Sequence, residues 1–153
     1  MHSRIFQVST EPISKSDYIK ESDFWDHWFL HEVADYVNDD CNREDDIDWL
    51  AICERGYTVG HDNNGQYIIV QNKEEYFTKA FERFQGLLNK ITKYDIQHFA
   101  QGIYEMWDIQ NVYEEKYGFY IYFDSDLLTF DEFIRSCTEN EKYYIGGTID
   151  YHC

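Results

Sequence analysis

The sequence predicts a single α+β domain spanning residues 1–153, with an antiparallel or mixed sheet and helices packed on it. Three observations predict this. The chain carries 29 aromatic residues, 14 Tyr, 11 Phe and 4 Trp, and a single proline, Pro12. That is the composition of a packed core and not of a disordered acidic chain, which is poor in rings and often rich in proline. The segments of period two and period three-and-a-half do not alternate regularly. They run β-α-α-β-β-α-α-β-α-β, which argues against a doubly wound parallel sheet. The segments are also punctuated by helix caps and turn signals, with no internal repeat and no linker that would divide the chain.

The elements follow in order. Arg4 to Ser9 (RIFQVS) alternates like a short strand, and Pro12 interrupts what comes next. Ser22 is placed to cap a helix running to about Val37, with Phe24, Trp25, Trp28, Phe29, Val33 and Tyr36 as its apolar stripe. Asp23 and Asp26 stand in its first turn, where the helix dipole favours acids. Asn42 caps a second helix, Arg43 to about Arg55, in which Ile47, Leu50, Ala51 and Glu54 mark one stripe, Trp49, Ile52 and Cys53 widen it, and Gly56 fits the left-handed position after the helix end. Tyr57 to Gln71 holds two β-rich runs around Asn63-Asn64-Gly65, a hairpin signal.

Asn72 caps a third helix, about Lys73 to Lys90, with Tyr76, Phe77, Ala80, Phe81, Phe84, Leu87, Leu88 and Ile91 as its core stripe. Thr92 begins a fourth, to about Trp107, with Ile96, Phe99, Ala100, Ile103 and Trp107 inward and Gly102 weakening it. Tyr117 to Phe123 (YGFYIYF) is strand-like. Thr129 and Glu132 form a capping box for a helix to about Cys137. Tyr143 to Tyr151 closes the chain as a strand with a Gly-Gly kink or bulge.

The distribution of charge is the main functional signal. The chain has 30 Asp+Glu against 13 Lys+Arg, a net charge of −17. Between Glu11 and Asp62 lie 15 acids and 4 bases, so 4 − 15 = −11 of that total falls in 52 residues. The densest stretch is Asp39 to Asp48, DDCNREDDID, with six acids and one base. Such a surface repels nucleic acid and anionic membrane and attracts basic proteins. The candidate partner-binding residues are Asp35, Asp39, Asp40, Glu44, Asp45, Asp46 and Asp48. Helix-dipole preference accounts for Glu44 and Asp45 without any partner, but not for an excess sustained over 52 residues. Ordered carboxylates can imitate a row of phosphates, which in duplex DNA fall at about one charge per 1.7 Å of axis.

Other constellations reduce to structural roles. His27 and His31 are four apart, the spacing of a helical zinc pair, yet HWFLHE lacks the HExxH order of a metalloprotease. No metal and no cofactor are expected. Asp124-Ser125-Asp126 with Asp131 and Glu132 resembles a calcium loop only loosely, because Thr129 and Arg135 stand where an EF-hand needs Gly and Glu. It reads as a polar strand-to-helix loop. Lys79, Arg83 and Lys90 make a basic strip too small for a nucleic-acid groove; it leaves room for a homodimer in which this less acidic side meets the acidic side of a second copy. The chain holds no dinucleotide fingerprint, phosphate loop or nucleophile elbow. Cys41, Cys53, Cys137 and Cys153 show no CxxC spacing. With no basic-then-apolar leader and no apolar run near the ~18 residues of a spanning helix, the expectation is a cytoplasmic protein with free thiols.

In size, acidity and aromatic richness, carried by DDCNREDDID and the net −17, the chain resembles the antirestriction and anti-CRISPR class of nucleic-acid-mimic inhibitors of mobile elements. The resemblance implies a non-catalytic inhibitor that occupies the DNA-binding surface of a restriction enzyme or CRISPR nuclease. Two alternatives stand beside it: an immunity protein neutralising a nuclease toxin, with the same electrostatics, and a small-ligand-binding domain or enzyme with an aromatic pocket.

Overall fold

The computed structural model describes residues 1–97, 104–114 and 116–153. It is an α+β domain built on a seven-stranded sheet. In chain order the elements are β1 (His2–Ser9), α1 (Phe29–Glu32), β2 (Tyr36–Asn38), α2 (Arg43–Ile52), β3 (Tyr57–Asp62), β4 (Gly65–Val70), α3 (Lys73–Leu88), α4 (Lys93–Gln97), α5 (Tyr104–Glu114), β5 (Tyr120–Phe123), β6 (Asp126–Thr129), α6 (Phe130–Ser136) and β7 (Lys142–His152). The main path across the sheet is β3-β4-β7-β1-β5-β6. Among the described residues β1–β5 is the one parallel pair and the other pairs are antiparallel, so the sheet is mixed.

The last strand lies at the centre of the sheet. β7 pairs with β1 along one edge, while its other edge is shared by β4 at Lys142–Tyr144 and β2 at Asp150–His152. The Gly-Gly bulge is present. Phe6 faces Thr148 and Val8 faces Ile145, so Gln7 on β1 stands against both Gly146 and Gly147. One extra residue reverses the side-chain alternation of a strand. Tyr143 and Ile145 accordingly join one core, whereas Ile149 and Tyr151, of the same parity, join the other. At the bulge the segment bearing Tyr18 and Ile19 crosses close to the sheet. A Cβ on Gly147 would lie 3.1 Å from the backbone nitrogen of Ile19, and one on Gly146 would lie 2.5 Å from Gln7 Oε1. Gln7 fastens this crossing, accepting from the amides of Ile19 (3.1 Å) and Gly147 (3.0 Å).

The two faces bury separate clusters. Phe6, Val8, Ile68, Val70, Ile121 and Ile145 lie with Ile47 and Leu50 of α2 and Phe130, Phe133 and Ile134 of α6. On the other face Ile5, Tyr120, Ile149 and Tyr151 pack under Ile19, Phe24 and Phe29. That second cover is not the expected helix over 22–37. A 3-10 turn (Glu21–Phe24) and the single turn α1 replace it, and the chain then enters β2. The reason is tertiary. β7 is longer than β4 can cover, and its free edge at Asp150–His152 takes up Tyr36–Asn38 as a strand. Of the expected stripe, Phe24 and Phe29 point inward, while Trp25 is 65 % exposed.

The capping signals at Asn42, Asn72 and Thr129 hold, whereas Ser22 caps no helix and lies inside the 3-10 turn Glu21–Phe24. Asn42 Oδ1 accepts from the Glu44 amide (3.2 Å), Asn72 Oδ1 from the Glu75 amide (2.9 Å), and Thr129 with Glu132 forms the full capping box. Gly56 takes φ +68°, and a Cβ there would lie 2.3 Å from the Asn72 carbonyl oxygen. Asp124 and Ser125 form a two-residue hairpin turn between β5 and β6, both with positive φ (51° and 71°), as that turn demands. This corrects the reading of the segment as a strand-to-helix loop: a strand intervenes.

The third and fourth expected helices differ most from their stripes. Tyr76 alone in α3 is buried, and Phe81 is 61 % exposed, because α3 packs against α5 more than against the sheet. The expected helix from Lys93 to Trp107 maps onto α4 and the start of α5, with Trp107 exposed instead of inward. Phe99, Ala100, Gly102 and Ile103 lie outside the described residues.

Candidate functional site

The base of the acidic run is turned inward. Arg43 donates Nε to the Gly146 carbonyl (2.6 Å) and one terminal nitrogen to the Ile145 carbonyl (2.7 Å), capping the bulge of β7. Its other terminal nitrogen reaches Glu44 (2.7 Å) and Gln66 (2.6 Å). The one cation in DDCNREDDID is thereby committed to the sheet.

The acids of the run divide into two kinds. Asp39, Asp40, Glu44, Asp45 and Asp48 are exposed. Glu44 is tied to Arg43 and Gln66, and Asp45 accepts from Asn42 Nδ2 (2.8 Å). Asp39 accepts from the Glu21 amide (3.2 Å), which brings the turn bearing Glu21 and Asp23 beside Asp39 and Asp40. Asp35 is exposed beside His152, whose Nδ1 lies 2.8 Å from its carboxylate; that hydrogen bond holds the Asp35 carboxyl below its ordinary range.

Asp46 departs from the expectation of a surface contact. It is 3 % exposed and accepts from Arg4 Nε and from the Thr148 hydroxyl (2.7 Å). Arg4 also donates to Asp150, which lies 2.8 Å from His2 Nδ1, and its guanidinium sits 5.4 Å from the centre of the Trp49 ring. The position has a simple origin. Ile47 and Leu50 orient α2 toward the sheet, and Asp46, adjacent to Ile47, is carried in with them. Arg4 lies near one end of the chain and Thr148 and Asp150 near the other, and no local spacing links either end to Asp46. A lone Arg in the alternating run RIFQVS was the one available hint.

Between α2, α3, α5 and the sheet lies a groove of about 390 Å³. Trp49, Arg55, Tyr76, Arg83, Asp108, Tyr117, Phe119 and Asp131 are among the residues that line it. Trp49 meets Phe119 edge to face at 5.0 Å. Asp131 accepts from the Tyr76 hydroxyl (2.7 Å) and faces Arg135 at 3.6 Å. Of the basic strip, Lys79 pairs with Glu75 (2.6 Å), Arg83 lines the groove, and Lys90 is exposed.

Among the described residues no cluster of three or more His, Cys, Asp or Glu is arranged to hold a metal ion. His27 Nδ1 instead accepts from the Phe29 amide (3.3 Å), and burial lowers its pKa. The four cysteines are free thiols, and burial raises the pKa of Cys41, Cys137 and Cys153, which disfavours their thiolates. Among the described residues no helix is long and apolar enough to cross a membrane. The chain matches no protein-family model, and no curated protein or solved structure matches it.

Proposed function

We propose that this chain is a non-catalytic, cytoplasmic inhibitor that binds the basic nucleic-acid-binding surface of a defence effector, a CRISPR nuclease or restriction enzyme, as a DNA mimic. The observation that carries the reading is the sorting of charge around α2. Arg43 is drawn inward to the bulge, while Asp39, Asp40, Asp45 and Asp48 stay outside and the turn with Glu21 and Asp23 is drawn alongside. The result is an exposed carboxylate band on a framework fixed by β7 and its neighbours. Carboxylates held on a rigid frame accelerate encounter with a basic groove and lose that advantage as salt rises. Asp46 is excluded from the contact set, since its charge is spent on Arg4. Asp35 and Glu44 lie at its margin, each sharing its charge with a partner.

The test is capture of a purified nuclease by the immobilised protein, with and without competing duplex DNA. Wild-type protein should retain the nuclease, block its cleavage, and release it to excess duplex. A variant with Asp39, Asp40, Asp45 and Asp48 each changed to Lys should fold yet lose retention by about 100-fold or more and show a flatter salt dependence. Retention and inhibition unchanged in that variant would remove the band from the mechanism.

A further inference from the structure

Five arginines occur in the chain, and three of them, Arg4, Arg43 and Arg135, pair with carboxylates. The remaining two, Arg55 and Arg83, have no carboxylate partner among the described residues. In a protein with 30 acids this is unexpected on electrostatic grounds alone, and both line the same groove. They come from different elements. Arg55 follows the end of α2, its guanidinium 5.7 Å from the centre of the Tyr76 ring, and Arg83 projects from α3. Guanidinium groups are weakly hydrated forks that match phosphate oxygens two at a time.

The rest of the groove suits a ring. Trp49, Tyr117 and Phe119 supply aromatic wall, and a space of about 390 Å³ falls within the range of small-molecule sites. Of the two carboxylates among the described residues of the groove, Asp131 is engaged by Tyr76 and Arg135. Asp108 is exposed and can accept from an amino or hydroxyl donor of a bound molecule.

We infer that this groove is a binding site for a small aromatic phosphate of nucleotide size, its phosphate held by Arg55 and Arg83 and its ring set among Trp49, Tyr117 and Phe119. The site is separate from the carboxylate band and goes beyond the inhibitor reading, so either stands if the other fails.

The probe is adenosine monophosphate, titrated calorimetrically into the full chain beside adenosine and inorganic phosphate. Saturable binding with a Kd of about 1 mM or tighter is expected for the nucleotide, with both fragments weaker by about 10-fold. Arg55→Gln and Arg83→Gln should each weaken nucleotide binding by about 10-fold, the loss of a charge-assisted contact. Lys90→Gln, equal in charge change and not among the groove residues, should leave it unaltered. Circular dichroism melts of the variants separate lost binding from lost folding. No saturable nucleotide binding, wild-type affinity in both arginine variants, or adenosine binding as tightly as the nucleotide would overturn the assignment. Inorganic phosphate binding as tightly as the nucleotide would overturn the role of the ring.

Discussion

Replacing Asp46 by Ala should destabilise the domain by about 3 kcal/mol. The figure follows from its surroundings. The carboxylate is 3 % exposed and accepts two hydrogen bonds, one from the Arg4 guanidinium and one from the Thr148 hydroxyl at 2.7 Å. A hydrogen bond to a charged group contributes about 1.5–3 kcal/mol, and breaking a buried ion pair costs about 3–5 kcal/mol because the surviving charge stays desolvated. Here the lower end applies. Arg4 keeps Asp150 and the Ser3 carbonyl, and Thr148 Oγ1 keeps Cys41 Sγ at 3.3 Å. For a chain of this length such a loss lowers Tm by about 6–12 °C. Asp48→Ala is the charge-matched control: it removes the same negative charge from an exposed position of the same helix and should change stability by less than about 0.5 kcal/mol. Urea unfolding with a common m-value gives both numbers. If Asp46→Ala lies within about 0.5 kcal/mol of Asp48→Ala, the Arg4–Asp46 pair contributes nothing net and the argument from burial fails.

Three further outcomes are expected. Gly86→Ala, in the body of α3 with open space around its Cβ, should stabilise by about 0.5–1 kcal/mol, whereas Gly56→Ala, at φ +68° and against the Asn72 carbonyl, should destabilise by more than about 1 kcal/mol; thermal melts of the pair read both signs. Thr129→Ala should cost about 1 kcal/mol by removing the hydroxyl cap of α6, measured by urea unfolding. Lys142 holds the Asp62 carboxyl below its ordinary value, and Asp62 in turn raises Lys142. The acid therefore contributes stability that is full above the ordinary carboxylate pKa of about 3.9 and is lost as pH falls through its folded value. The lysine's share is full below about 10.4 and is lost as pH rises through its own folded value. Asp62→Asn should flatten the Tm profile at both ends relative to wild type, and parallel profiles would contradict the pairing.

The caps at Asn42, Asn72 and Thr129 and the hairpin at Asn63-Asn64-Gly65 were legible because each signal is local: a side chain satisfies amides two or three residues away. An irregularity at Gly146-Gly147, a kink or a bulge, was legible because paired glycines interrupt a strand, while its form as a bulge against Gln7 came from the pairing of β7 with β1. The aromatic segment 22–37 was not. Its spacing fits a helix, but no periodicity can show that β7 outruns β4 and draws Tyr36–Asn38 into the sheet. Likewise, the Arg4 guanidinium and the Thr148 hydroxyl that donate to Asp46 come from opposite ends of the chain.

By itself the sequence determined the α+β class, the starts of α2, α3, α4 and α6, and the excess of negative charge. All of these follow from composition or from contacts a few residues apart. Only the tertiary structure decided which charges face solvent: it took Arg43 and Asp46 inward, left Asp39, Asp40, Asp45 and Asp48 outside, and set Arg55 and Arg83 on one groove. The physical reason is that the cost of burying a charge depends on the partner it meets there. That partner is chosen by strand pairing across the whole chain, and it leaves no mark on the local sequence.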